Sequence, residues 1–244
     1  MMGNSGNLTL DKNNLDTILV LDFGSQYTQL IARRIRESNV YSEILPWDIS
    51  TEKIKFFKPK GVILSGGPET VTASNTPRIP KIIFELDIPI LGICYGMQTL
   101  AEQFGGQVSS SKKKEFGHAE IILEETSLLF DDLSSGSSMD VWMSHGDYVS
   151  TLPDQFNILA STKSSPIAAM KHIEKPFYGL QFHPEVTHTE GGNTVLDNFT
   201  FKICKCSAKW KMENLIEQRI IDIKEKVGDQ KVLLGLSGGV DSSV

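Results

Sequence analysis

Residues 88–98 read Ile-Pro-Ile-Leu-Gly-Ile-Cys-Tyr-Gly-Met-Gln. The first part, Ile88–Cys94, is a short apolar run of the kind that forms a strand buried on both faces. An apparent helix, Met97–Phe104, follows directly. Gly92 and Gly96 stand two positions either side of Cys94, the G-x-nucleophile-x-G form of a sharp strand-to-helix turn. Such a turn strains the dihedrals of its central residue and draws backbone close, so small residues are needed on both sides. It would present the Cys94 sulfur at the carboxyl edge of a sheet, where open α/β folds bind ligands. It would also set the sulfur at a helix N-terminus, whose partial positive charge favours a thiolate. The alternative for Cys94 is a buried structural cysteine at a strand end.

Working outward, the same grammar recurs on the N-terminal side. Ile18–Phe23 is a short apolar run, followed by a helical stretch with Tyr27, Leu30, Ile31, Arg34 and Ile35 at three- and four-residue spacing. Val40–Leu45 alternates and is closed by Pro46, and Gly61–Leu64 is a further buried-strand candidate. Short apolar strands that alternate with helices predict an α/β fold: a mostly parallel central sheet with helices on both faces. After Gly105-Gly106 the rhythm changes to strands and turns, with Phe116–Leu123, Met139–Ser144, Asn157–Thr162, Ile167–Ile173 and Phe177–Phe182 rich in β-formers. These predict antiparallel extensions of the sheet. Thr194–Cys204 is expected to close the domain as a helix, with Val195, Leu196, Phe199 and Ile203 on one face.

The chain is thus divided into a disordered leader (1–16), a main domain (17–204) and a C-terminal segment (205–244). That segment reads as a linker (205–210), a helix from about Trp210 to Val227 and a strand, Lys231–Leu236. The helix has an apolar face through Leu215, Ile216, Ile220 and Ile223 and is expected to dock on the main body or a second chain. The Lys112–Lys114 run is expected to be a solvated loop.

Composition narrows the class. The 244 residues carry 24 Lys+Arg and 30 Asp+Glu, a formal net charge of −6, with 40% hydrophobic residues. This is ordinary globular usage, and the acidic balance argues against a nucleic-acid polymer as partner. Three cysteines exclude a disulfide framework and favour a reducing, cytoplasmic compartment. No apolar run approaches the ~20 residues that span a bilayer, and the polar N-terminus lacks the apolar stretch of a signal peptide. Cys204 and Cys206 have no setting like that of Cys94; they are expected to be structural or merely exposed, and a single C-x-C is no metal site.

A thiol nucleophile needs a base. Of five histidines, His183 stands out because it begins His183-Pro184-Glu185 at the end of the apolar strand. Pro184 disfavours helix at His183, so the triplet is extended and residues two apart project to one side. Glu185 can then orient the imidazole as the third member of a triad. A surface His and Glu at a strand end is the alternative. Acyl chemistry also needs oxyanion donors. The amide of Tyr95 is one candidate, and Ser65-Gly66-Gly67-Pro68 ends a neighbouring strand at the same edge, although it also reads as an ordinary turn.

Taken together, GICYGMQ, SGGP and QFHPEVTHT closely resemble the class I (triad) glutamine amidotransferases, over roughly residues 17–204. The resemblance implies a flavodoxin-like sheet and hydrolysis of the glutamine side-chain amide through a cysteine thioester. It implies Cys94 as nucleophile, His183 as base and acid, Glu185 as its orienter, and Gly67 and Tyr95 as oxyanion donors. It further implies that Gln98, Ser144, Gly146 and Asp147 contact glutamine, with no metal or other cofactor for this step. His145, within the same MSHGD run, keeps a structural reading.

Ser237-Gly238-Gly239-Val240-Asp241-Ser242-Ser243 follows a predicted strand and would open a helix, a phosphate-cradling arrangement. It lacks the lysine of a Walker A loop and resembles the pyrophosphate loop of ATP pyrophosphatases. An amidotransferase joined to such a loop resembles the homodimeric synthetases that aminate XMP with ATP and Mg2+. Most of that second module is expected to be missing, so this chain alone is expected to lack synthetase activity. Two alternatives stay open: the glutaminase subunit of another class I amidotransferase, and a catalytically idle regulatory domain of the same fold.

Overall fold

The computed structural model describes residues 15–233. Most of the expected leader, and the Ser237–Ser243 loop with the end of the strand predicted before it, lie outside the described residues. Lys231–Leu233, the described start of that expected strand, form no regular element.

Leu15–Trp210 form one compact unit. Its centre is a nine-stranded mixed sheet with strand order β2-β1-β3-β4-β9-β8-β7-β5-β6. The parallel half consists of β1 (Thr17–Asp22), β2 (Tyr41–Pro46), β3 (Gly61–Leu64), β4 (Ile90–Ile93) and β9 (Phe177–Leu180). The antiparallel half continues from β9 through β8 (Ala169–His172), β7 (Phe156–Ser161), β5 (Gln107–Leu123) and β6 (Ser138–Thr151). A parallel pair needs a crossover, and these are supplied by α1 (Thr28–Glu37), α2 (Thr51–Phe57), α3 (Lys81–Glu85) and α4 (Tyr95–Gln103).

Side-chain alternation explains why the parallel strands read as continuous apolar runs. Ile18, Val20, Ile63, Leu91 and Ile93 face α1 and α5 (Gly192–Asp197), packing with Ile31, Ile35, Val195 and Leu196. Leu19, Leu21, Val62, Leu64 and Ile90 face the opposite layer, against Ile54 of α2, Ile82 and Ile83 of α3, and Met97 and Leu100 of α4. Both faces are dry, so neither parity can be polar.

Several expectations need correction. Thr194–Cys204 is not one helix: α5 gives way to a wider π-type turn over Asn198–Ile203. The Lys112–Lys114 run lies within β5 rather than in a loop, at a break in register between Ser110 and Glu115. Met139–Ser144 is only part of β6, so the MSHGD run sits inside a strand. Residues 205–210 do not hang free as a linker. Trp210 is buried and donates its N–H to the Asn39 carbonyl, and Ser207 bonds the Asp16 carboxylate through both its N–H and its hydroxyl. Those same bonds hold Asp16, read as the end of the leader. Cys204 and Cys206 are both buried, Cys204 against the Cβ-free face of Gly61.

The described part of the second unit contains α6 (Met212–Val227), with Lys224 and Lys226 in its last turn, where they complement the helix dipole. No helix among the described residues is long and apolar enough to cross a membrane.

Candidate active site

The carboxyl ends of β1, β3, β4 and β9 converge on Cys94. The cysteine caps α4 with φ 51° and ψ −107°, a left-handed conformation that an L side chain adopts only under constraint. The constraint is visible on both sides. Its N–H bonds the Leu180 carbonyl of β9 at 2.7 Å, and its carbonyl accepts from Gln98 N–H at 3.1 Å, opening the helix. A Cβ at Gly92 would sit 2.6 Å from the Gly96 carbonyl, and one at Gly96 would overlap the Leu64 carbonyl oxygen. Both glycines are therefore steric requirements of the turn. Cys94 itself is 6% exposed.

His183 follows β9 and is held by its own backbone: its N–H donates to the Trp142 carbonyl, and its carbonyl accepts from the Thr189 hydroxyl at 2.6 Å. Its Nδ1 lies 2.8 Å from Glu185 Oε1, and Glu185 is fully buried. Arg34 of α1 donates from Nε to the Glu185 carbonyl at 3.1 Å, fixing the turn from outside. Burial alone would push the His183 pKa down. The Glu185 charge, with further contributions from a hydrogen bond to Cys94 and one to Glu185, reverses that and raises it to about 10. The imidazole is thus held as imidazolium at neutral pH, beside the sulfur.

Two cavities meet at Cys94. The larger, about 610 Å³, is lined by Gly67, Tyr95, Gln98, Ser144, Gly146 and Asp147 among others. Every residue that the sequence assigned to glutamine contact or to the oxyanion thus borders one space. The smaller, about 250 Å³, lies between the Gly24–Tyr27 loop and His183, with Gly67, Cys94 and Ser144 completing it. Gly67 tolerates no side chain, since a Cβ there would meet the Phe23 carbonyl at 2.7 Å.

His145 also borders the larger cavity, and burial lowers its pKa to about 4, with the nearby His183 charge adding to the effect. It is neutral at pH 7, which removes the attraction to Glu115, whose Oε2 stands 3.1 Å from His145 Nε2 without forming a hydrogen bond. Among the described residues, no group of three or more His, Cys, Asp or Glu is arranged to hold a metal ion. The loop Ser237–Ser243 lies outside the described residues.

Sequence reasoning missed two neighbours of the site. Gln181 is fully buried and donates from Nε2 to Cys94 Sγ at 3.7 Å. The parity that pairs His183 with Glu185 in an extended segment also selects Gln181 and could have found it. Tyr27, read as part of a helix face, instead meets the His183 ring edge-on at 5.1 Å. Its signal was the position of Gly24–Tyr27 just after β1, at the edge where ligands bind.

The family profile "Glutamine amidotransferase class-I" matches residues 19–203. The chain is 54% identical over 233 residues to a "GMP synthase [glutamine-hydrolyzing]" of Hamiltonella defensa and 56% identical over 233 residues to one of Teredinibacter turnerae. Each match covers 93% of this chain and 44% of the relative, so the chain spans less than half the length of these curated relatives. Among solved structures, a candidate GMP synthase component from Thermoplasma acidophilum superposes with TM-score 0.67. It has 32% identity, over 78% of this chain and 94% of that one. A Thermotoga maritima glutamine amidotransferase shares the fold, with TM-score 0.56 and 21% identity.

Proposed function

The chain belongs to the class I glutamine amidotransferases, and from that membership we propose that it is the glutamine-hydrolysing part of a GMP synthase. The observation that carries the reading is the strained Cys94 at the mouth of two cavities, with the sealed His183–Glu185 pair beside it.

The chemistry follows from that arrangement. The Cys94 thiolate attacks the side-chain amide carbon of glutamine bound in the larger cavity, against Gln98, Ser144, Gly146 and Asp147. The N–H groups of Tyr95 and Gly67 receive the developing oxyanion. The His183 imidazolium gives its proton to the leaving nitrogen, and ammonia departs. Neutral His183 then takes a proton from water, whose oxygen attacks the thioester; the C–S bond breaks and glutamate is released with the thiolate–imidazolium pair restored. Glu185 orients the imidazolium for the first step and, once the ring is neutral, keeps its proton on Nδ1 so that the other nitrogen can accept in the second.

In the whole synthase the ammonia would aminate XMP with ATP and Mg2+, in a homodimer. The ATP role is proposed for Ser237–Ser243 from their sequence resemblance to a pyrophosphate loop. The cytoplasm is the proposed location, since three free thiols suit a reducing compartment.

Incubating this chain with a glutamine-analogue electrophile tests the reading directly. Covalent label on Cys94, with glutamate release lost in Cys94→Ala, is expected. Label at Cys204 or Cys206, surviving the Cys94→Ala change, would overturn it. Amination of XMP by these 244 residues alone would overturn the assignment of that step to a further module.

A further inference from the structure

We propose that Gln181 is a positioning residue for the nucleophile: its side-chain amide supports the ionised sulfur of Cys94 and ties that sulfur to Gln98 on the wall of the larger cavity. The inference rests on the reading of Cys94 as nucleophile.

The hydrogen bonds fix which end of the Gln181 amide faces the sulfur. Gln98 Nε2 donates to the Asp147 main-chain carbonyl at 2.7 Å, and a carbonyl can only accept, so the nitrogen of Gln98 must be there. That same nitrogen lies 3.4 Å from Gln181 Oε1, which therefore accepts. The Gln181 NH2 is left to point at Cys94 Sγ, 3.7 Å away. The chain Asp147 carbonyl, Gln98, Gln181, Cys94 has one consistent direction.

A thiol and a thiolate need different neighbours. The S–H form finds an acceptor in the Ser144 carbonyl, 3.7 Å from Sγ. Once ionised, the sulfur needs donors, and an acceptor-only carbonyl offers none. Gln181 supplies one from a fully buried position, where a hydrogen bond to a charge is worth more than in water. The charged and titratable groups lining the two cavities beside the sulfur are His183 at the end of β9 with Glu185 behind it, His145 and Asp147 of β6, Glu69 in the loop after β3, Tyr95 of α4 and Tyr27 ahead of α1. Gln181 adds a neutral amide donor to this set. The same amide receives the sulfur when it leaves the thioester as an anion.

The test compares the wild-type chain with Gln181→Met, which keeps the volume and removes the donor. The rate of Cys94 alkylation by iodoacetamide is measured from pH 5 to 10. The expected result is a profile displaced upward by about one pH unit, so that the rate at any pH on its rising limb falls roughly tenfold while the alkaline plateau is unchanged. A merely structural role would lower the plateau and leave the midpoint in place, which would overturn the proposal. Should Gln181→Met fail to fold, Gln98→Met removes the group that orients the amide and is expected to move the midpoint in the same direction. An unmoved midpoint there would likewise overturn the proposal. A wild-type Cys94 that iodoacetamide does not touch would instead count against the amidotransferase reading itself.

Discussion

His183 and Glu185 form a closed pair: the imidazole Nδ1 lies 2.8 Å from one carboxylate oxygen, with side-chain exposures of 4% and 0%. Glu185 Oε2 has no hydrogen-bond partner among the described residues. The carboxylate is therefore committed to a single partner, in a medium where its charge is poorly screened. Such a pair fixes the orientation of the ring and favours its protonated form beside the sulfur.

Replacing the charge while keeping the shape separates these jobs from packing. Glu185→Gln is expected to lower glutamine turnover by roughly 10³- to 10⁴-fold through loss of the correct tautomer and of imidazolium stabilisation. The KM for glutamine should change little, because Glu185 does not border the larger cavity. A loss smaller than tenfold in steady-state glutamate release would remove Glu185 from the machinery.

The pair also predicts an alkaline limb in stability. His183 is raised from 6.5 to about 10 in the folded chain. The folded state then binds more protons than the unfolded state throughout that interval, so stability falls as pH rises through it. The contribution is complete below about pH 6.5 and is lost by about pH 10. Urea midpoints measured across this range should decline in the wild type and decline less in Glu185→Gln. Equal slopes in the two proteins would contradict the assignment.

Gly96 is held against β3 so tightly that any side chain there must move something. Gly96→Ala is expected to cost about 1–3 kcal/mol of stability, as overpacking of a fixed backbone does. Because Cys94 begins the same turn, electrophile labelling should also slow more than tenfold. Gly105→Ala is the control: its Cβ meets nothing within 4 Å, so only the strain of a φ of 90° remains. Thermal unfolding and labelling rates of the two variants decide the matter.

How much of this was legible in the sequence depends on what each residue's role is encoded by. The parallel half was readable because buried strands carry unbroken apolar runs, and the elbow because Gly92 and Gly96 flank Cys94 for steric reasons. His183 and Glu185 were readable through Pro184, which extends the backbone between them. Of the β5–β6 hairpin, Phe116–Leu123 and Met139–Ser144 were readable, but its full length was not, because the Lys112–Lys114 run resembles a solvated turn. Burial of Cys204 and Trp210 was invisible too, since it depends on Gly61 and Asn39, which are distant in the chain. Gln181 shares the parity of His183 and Glu185, but nothing in the sequence marks a single amide on that face as buried. Its partners, Gln98 and Cys94, come from a different strand–helix unit.

His145 predicts an acid limb of opposite origin. Burial holds it neutral, with its pKa lowered from 6.5 to about 4. Between those values the unfolded chain binds the extra proton and the folded chain does not, so stability falls as pH drops. The loss is on the order of 3 kcal/mol by pH 4. Glu115, whose pKa burial raises, acts with the opposite sign over part of this range, so the double variant is the needed control. His145→Gln should flatten the acid limb measured by urea unfolding from pH 7 to 4, with or without Glu115→Gln. An unchanged limb would place the acid sensitivity elsewhere.

The three thiols should separate sharply by reactivity. Burial pushes the Cys206 thiol up to about 12, with the Asp16 charge adding to it, and raises Cys204 well above its ordinary value. Neither can supply thiolate near neutral pH, and both are packed in the core of the main unit. Cys94, by contrast, borders both cavities and has an imidazolium beside it. Native protein treated with a thiol-reactive disulfide at pH 7.5 should therefore release about one equivalent of reporter per chain in the fast phase, and denatured protein about three. Mass mapping of the fast product should place it on Cys94, and Cys94→Ala should abolish the fast phase without altering the denatured count by more than one. A fast phase that survives that substitution would mean that residues 204–206 open in solution. The packing of Cys204 against Gly61 and of Trp210 beside Asn39 would then not be the stable arrangement of the chain.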